Sequence, residues 1–186
     1  MSDDLLIHVQ PTPNPKALKF ILNRDVKKQG KATISSKDEA EQVRLAWDLF
    51  DLKGVTQLHF YENFITVTFS EDTDPTEHEA EVCAIIKRDM PVHNPDFELA
   101  NAPKRVSRSD DPEIVRIEDI LDRTIRPGLQ GDGGDIEIVS YKNNILEVIY
   151  QGACGTCPSS SQGTLMAIES ILRDEFNPEI KVEIAF

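Results

Sequence analysis

The stretch Gly152-Ala153-Cys154-Gly155-Thr156-Cys157-Pro158-Ser159-Ser160 holds two of the chain's three cysteines. Thiolate is the form of cysteine that attacks and that binds metal. A Cys-x-x-Cys turn lets two sulfurs converge on one metal atom, on one edge of a cluster, or on each other. Gly152 and Gly155 suit such a turn, because glycine adopts positive φ and leaves room beside the backbone. A helical pattern begins just after Cys157, with Ser159, Ser160 or Ser161 available to cap it. The partial positive charge of a helix start favours thiolate, so both thiols are expected to be more acidic than free cysteine.

Two ligands make half a site. Tetrahedral zinc and the common iron–sulfur clusters take four protein ligands. The one remaining cysteine, Cys83, lies among Val82, Ala84, Ile85 and Ile86 on a helical pattern in the other half of the chain and reads as a structural thiol. The simplest completion is a symmetric dimer in which each chain gives Cys154 and Cys157 to a cluster on the two-fold axis. Such a cluster would be exposed, which suits transfer to another protein. Two other chemistries stay open on the residues alone. One is a thiol–disulfide oxidoreductase, disfavoured by a hairpin rather than a parallel βαβ unit ahead of the pair; the other is a zinc clasp built from the same thiolates.

The elements that must hold this loop follow from periodicity. In the first half, Leu5 to Val9 and Ala17 to Leu22 read as short strands around a turn fixed by Pro11, Pro13 and Pro15. Ser36 and Glu39 form a capping box for a helix with Val43, Trp47 and Phe50 on its face, stopped by Gly54. Val55 to Tyr61 and Phe64 to Phe69 alternate as a hairpin. A second helix starts at Asp74-Pro75, shows Val82, Ile85, Ile86 and Met90, and ends at Pro91. In the second half, Asp111 caps a helix carrying Ile114, Ile117, Leu121 and Ile125 that ends near Pro127-Gly128. The glycine-rich Gly131 to Asp135 follows, read as a turn in which Asp132 and Asp135 are solvated acids. Strands Ile136 to Tyr141 and Ile145 to Tyr150 lead into the cysteine loop; Leu165, Ile168, Leu172 and Phe176 mark a helix, and Ile180 to Ala185 a last strand. The expected class is α+β, two small domains each with a short antiparallel or mixed sheet packed with helices. The expected bounds are residues 1–91, a linker at 92–111 containing the basic cluster Lys104, Arg105 and Arg108, and residues 112–186.

Composition narrows the function. The formal net charge is −13 with no basic stripe, which argues against nucleic acid as a partner. No apolar run approaches the ~18 residues of a membrane helix, and the acidic Met1-Ser2-Asp3-Asp4 resembles neither a secretory nor a transit signal, so a cytoplasmic location is expected. His8, His59, His78 and His93 show no spacing that pairs them with the cysteines. No Ser-His-Asp arrangement or phosphate-cradling Gly-Lys loop appears.

Gly131-Asp132-Gly133-Gly134-Asp135-Ile136-Glu137, the cysteine stretch, Thr164-Leu165 and Ile168-Glu169 together resemble, in order and spacing, the NifU-like domain of the Nfu family of iron–sulfur cluster scaffold and carrier proteins. Pro11-Thr12-Pro13-Asn14-Pro15-Lys16-Ala17-Leu18-Lys19-Phe20 is similar to the opening of the Nfu N-terminal domain. The resemblance implies that Cys154 and Cys157 ligate a [4Fe–4S] cluster shared by a homodimer. Ligand count alone equally permits [2Fe–2S]. It further implies that upstream assembly proteins supply the cluster, that apo iron–sulfur client proteins receive it, and that no catalytic turnover is involved.

Overall fold

The computed structural model describes residues 4–99, 111–154 and 160–185, with the side chains of residues 160–162 left out. The chain divides into two compact units, Met1–Ala102 and Pro103–Phe186.

The first unit is a five-stranded antiparallel sheet. Its strands are β1 (Ile7–Pro11), β2 (Ala17–Leu22), β3 (Lys27–Ile34), β4 (Val55–Glu62) and β5 (Phe64–Phe69), in the order β1-β2-β5-β4-β3. Two helices, α1 (Arg44–Leu49) and α2 (Glu79–Asp89), accompany it. Phe20, Ile34, Leu45, Leu49, Leu58, Phe60, Ile65 and Ile86 are fully buried in one cluster. The β4–β5 turn closes tightly through Glu62, at φ 43°. Asp74 caps the entry to α2 as its sequence predicts, accepting from the Thr76 amide at 2.9 Å.

Three expectations are corrected here. The Ser36–Glu39 pair does form, the Glu39 amide donating to Ser36 Oγ at 3.4 Å, but it closes only a short 3₁₀ turn at Asp38–Ala40. Val43, at φ −121° and ψ 89°, interrupts the helix, and the face that α1 buries is Leu45, Ala46 and Leu49, leaving Trp47 37% exposed under the Lys37 amine. β3 carries no alternating pattern, because its run Lys27-Lys28-Gln29-Gly30-Lys31 is polar and bulged, with Gly30 at φ 66°. Lys27 is buried there because its amine donates to the Phe97 carbonyl at 2.7 Å. The same contact corrects the start of the linker. Phe97 is buried against Phe60, and His93 Nε2 donates to the Val26 carbonyl at 2.8 Å, so the chain after Pro91 continues to pack on this core.

Burial depresses the His93 pKa from the ordinary 6.5, with nearby Lys27 adding to the effect and the Val26 bond opposing it. The unfolded chain therefore binds the proton more tightly than the folded one. The first unit should lose stability as pH falls through 6.5 toward the depressed value, with no further His93 contribution below it. Urea midpoints across this window should show the slope in the parent and a shallower one in His93→Gln.

The second unit contains α3 (Pro112–Thr124), α4 (Arg126–Gly131), β6 (Gly134–Lys142), β7 (Ile145–Gly152), α5 (Ser160–Glu175) and β8 (Lys181–Ile184). Asp111 caps α3 by accepting from the Glu113 amide at 2.9 Å, and Ile114, Ile117, Ile120 and Leu121 are buried. α3 stops at Thr124, close to its expected end, and the short helix α4 starts anew at Arg126, where Pro127 in its first turn gives up an amide that needs no partner there. β6 and β7 form an antiparallel hairpin turned by Asn143 and Asn144, both at positive φ. β8 joins β7 in parallel, so the sheet is mixed, in the order β6-β7-β8. The β7-α5-β8 crossover buries Ile168 and Leu172 with Ile136, Leu146, Val148 and Ile180. Glu169 of α5 pins β8 by accepting from the Val182 amide at 3.0 Å. Both units are α+β, as expected from periodicity.

Candidate functional site

In the chain, the cysteine stretch lies between the end of β7 and the start of α5. Register does the local work. Gly134 pairs with Gly152 and Asp135 with Gln151, and the Ala153 amide donates to the Gly133 carbonyl at 3.2 Å. Gly133 at φ 82° and Gly152 at φ 64° supply the left-handed conformations that turn each strand end.

Cys154 follows immediately, 9% exposed within the unit's core. Apolar packing and the opening of β6 at Gly134 cover the sulfur. A Cβ built on Gly134 would stand 2.5 Å from Cys154 Sγ, 2.8 Å from the Gln151 carbonyl oxygen and 3.0 Å from Cys154 Cβ. No side chain larger than hydrogen fits there without displacing the cysteine or the strand pairing. Cys157, Gly155 and Ser159 lie outside the described residues, as do the side chains of Ser160 and Ser161 and the basic cluster Lys104, Arg105 and Arg108.

Tyr150, 7% exposed, lies beside Cys154 in the same core. Burial pushes its phenol up to about 12, the neighbouring Cys154 adds to this, and a hydrogen bond with Thr164 of α5 partly offsets it. Across neutral pH it is therefore a protonated hydroxyl that links β7 to α5 across the loop.

Beside the opening of β6 lies an ionic group. Arg126 is 9% exposed, and its guanidinium meets Glu118 at 2.5 Å, Asp122, and Asp135 at 3.6 Å, while also donating to the Ile136 carbonyl at 3.4 Å. Burial opposes its charge, but the Glu118 and Asp122 contacts outweigh that and push its pKa up. Asp135 is only 2% exposed, which corrects the reading of it as a solvated acid; Asp132 is exposed as expected. The Asp135 carboxylate accepts from the Ile136 amide at 2.6 Å and from Gln130 Nε2 at 3.4 Å.

Sequence reasoning gave Gly134, Arg126 and Tyr150 no role. The available signal was the glycine pair opening a strand, which marks close approach of another group. Cys83 is half-buried on α2 against the first unit's core, where burial raises its pKa, Glu79 adding to this and Lys87 opposing it. Among the described residues no group of three His, Cys, Asp or Glu side chains could hold a metal ion.

Fold and loop together define a two-unit α+β protein with a thiol loop between a strand and its crossover helix. Residues 7–91 match the family model described as scaffold protein Nfu/NifU N terminal, and residues 117–183 match that of the NifU-like domain. The chain belongs to the Nfu family, carrying both of its domains in order. It is 33% identical over 180 residues to the NFU1 iron-sulfur cluster scaffold homolog, mitochondrial, of Drosophila persimilis, covering 95% of this chain and 64% of that protein. It is 33% identical over 174 residues to the NifU-like protein 4, mitochondrial, of Arabidopsis thaliana, covering 90% of this chain and 62% of that protein. The chain thus spans about three fifths of the length of these curated relatives. The solution NMR structure of a NifU-like protein from Saccharomyces cerevisiae is 20% identical, at a TM-score of 0.46, and covers 55% of this chain and 92% of that chain. The relatives' mitochondrial names overturn the expected cytoplasmic location. That expectation rested on the charge of a few residues, which measures solubility and not compartment.

Proposed function

We propose that the chain is an iron–sulfur cluster carrier, not an enzyme, whose second unit holds a [4Fe–4S] cluster as cargo between two copies through Cys154 and Cys157. The observation that carries this reading is the Cys154 thiol, seated on bare Gly134 backbone at the mouth of the β7–α5 crossover, in the part of the chain that matches a NifU-like domain. Supply of four thiolates then takes two chains, since each has two cysteines in the loop and Cys83 packs in the first unit. Delivery to an apo client is ligand exchange without redox change. A client thiolate forms an Fe–S bond as the bond to Cys154 or Cys157 breaks, and the proton lost by the client thiol passes to the departing thiolate.

Anaerobic reconstitution with iron and sulfide, followed by absorption spectra, iron and sulfide analysis and sizing, tests the reading. A coloured dimer with four irons per pair of chains is expected. A colourless monomer, with Cys154→Ser behaving like the parent, rejects it; zinc in place of iron in protein purified without air supports the clasp instead. Cys83→Ala should leave cluster yield per folded chain unchanged. Cluster loss in a folded Cys83→Ala protein would contradict its structural assignment.

A further inference from the structure

We infer that Arg126 and Asp135 are a positioning pair that sets how firmly Cys154 is held in its seat. Three linked contacts carry the inference. Asp135 is the residue next to Gly134, and Gly134 is the surface on which Cys154 Sγ rests. The Asp135 carboxylate is fixed from the α4 side by Arg126 at 3.6 Å and Gln130 at 3.4 Å, and from its own strand by the Ile136 amide at 2.6 Å. Arg126 also reaches the Ile136 carbonyl at 3.4 Å, so one guanidinium holds both the side chain and the backbone of the strand's opening residues.

A strand opening is ordinarily the first part of a sheet to fray. β6 begins at Gly134, without side-chain packing of its own, and its partner β7 ends at Gly152. Two glycines facing each other at a sheet end give little resistance to opening. Arg126 and Asp135 supply it from below, by a charge pair that is almost wholly out of water. When that pair is weakened, Gly134 separates from Gly152 more often, and Cys154 spends more time accessible. The pair acts through the backbone and touches no cargo. Its consequence for cargo rests on the carrier reading above, but the seat itself can be measured without any cluster.

The test uses the full chain in a Cys83→Ala/Cys157→Ser background, where Cys154 is the only thiol, and follows its alkylation by iodoacetamide with mass spectrometry. Asp135→Asn keeps the size and much of the hydrogen bonding but removes the charge; alkylation is expected to be about tenfold faster, on the scale of one lost charge-assisted contact. Arg126→Lys keeps the charge without the fork and is expected to fall between Asp135→Asn and the parent. Amide NMR shifts should move at Gly134 and Ala153 while those of α3 stay in place. Equal alkylation rates in parent and Asp135→Asn would overturn the inference. So would acceleration that merely tracks global unfolding measured by circular dichroism in urea, since that marks a structural role only. In chains with all cysteines, release of a loaded cluster to a chelator should also be faster in Asp135→Asn. A parent that loads no cluster rejects the carrier reading, and the alkylation result still judges the positioning pair.

Discussion

Gly134→Ala is expected to destabilise the second unit by about 3 kcal/mol, the upper part of the range for overpacking a filled interior. For a domain of this size that lowers its thermal midpoint by on the order of 10 to 20 °C. The new Cβ falls 2.5 Å from Cys154 Sγ and 2.8 Å from the Gln151 carbonyl. The sulfur can swing aside, but the carbonyl belongs to β7, paired across from Asp135, and cannot retreat without breaking the hairpin's end. Both responses move Cys154, so cluster yield per folded chain should fall as well. Gly128→Ala is the control. A Cβ at Gly128 meets nothing within 4 Å, and in helix α4 alanine should be neutral or stabilising by up to about 1 kcal/mol. Differential scanning calorimetry of the two variants checks both signs. Equal midpoints in Gly134→Ala and the parent would mean that the close approach is not maintained in solution.

What sequence made legible was whatever depends on near neighbours. Asp74 and Asp111 sit directly before prolines and cap the helices that follow, because an Asx cap is settled within two residues. The hairpin Phe64 to Phe69 with its partner shows alternation and a tight turn, both local. The cysteine loop was legible for the same reason, since its spacing is its signature. Reading failed where a distant group decides. β3 pairs with β4 through a polar, bulged run, and its Lys27 is buried by donating to a carbonyl seventy residues away in sequence, at Phe97, which no local pattern announces. The helix expected from Ser36 breaks at Val43, so that α1 begins only at Arg44 and buries Leu45, Ala46 and Leu49 in the first unit's core. Asp135 reads locally as a solvated turn residue, but the fold buries it beside Arg126, nine positions earlier and on another element. The cysteine spacing is local and readable, whereas what supports Cys154 is not. The support consists of glycine backbone and a buried charge pair, neither of which has a spacing rule.

Arg126→Met is expected to have the largest effect on stability of any single substitution in the second unit. Arg126 is the cation facing Glu118, Asp122 and Asp135, and of these acids Asp135 is 2% exposed. Removing one partner of a buried ion pair costs about 3 to 5 kcal/mol, because the other charge stays buried without compensation. Methionine fills much of the volume, so the loss is electrostatic rather than a cavity. The Glu118 and Asp122 carboxylates are more exposed and can rehydrate, which concentrates the penalty at Asp135. A double-mutant cycle separates these contributions. If Asp135 bears the cost, Arg126→Met combined with Asp135→Asn should be more stable than the sum of the single losses predicts, by at least about 1 kcal/mol. Urea unfolding of the four proteins gives the coupling directly. Strict additivity would place the cost on Glu118 and Asp122, and would remove the electrostatic reason for burying an acid beside the Gly134 seat of Cys154.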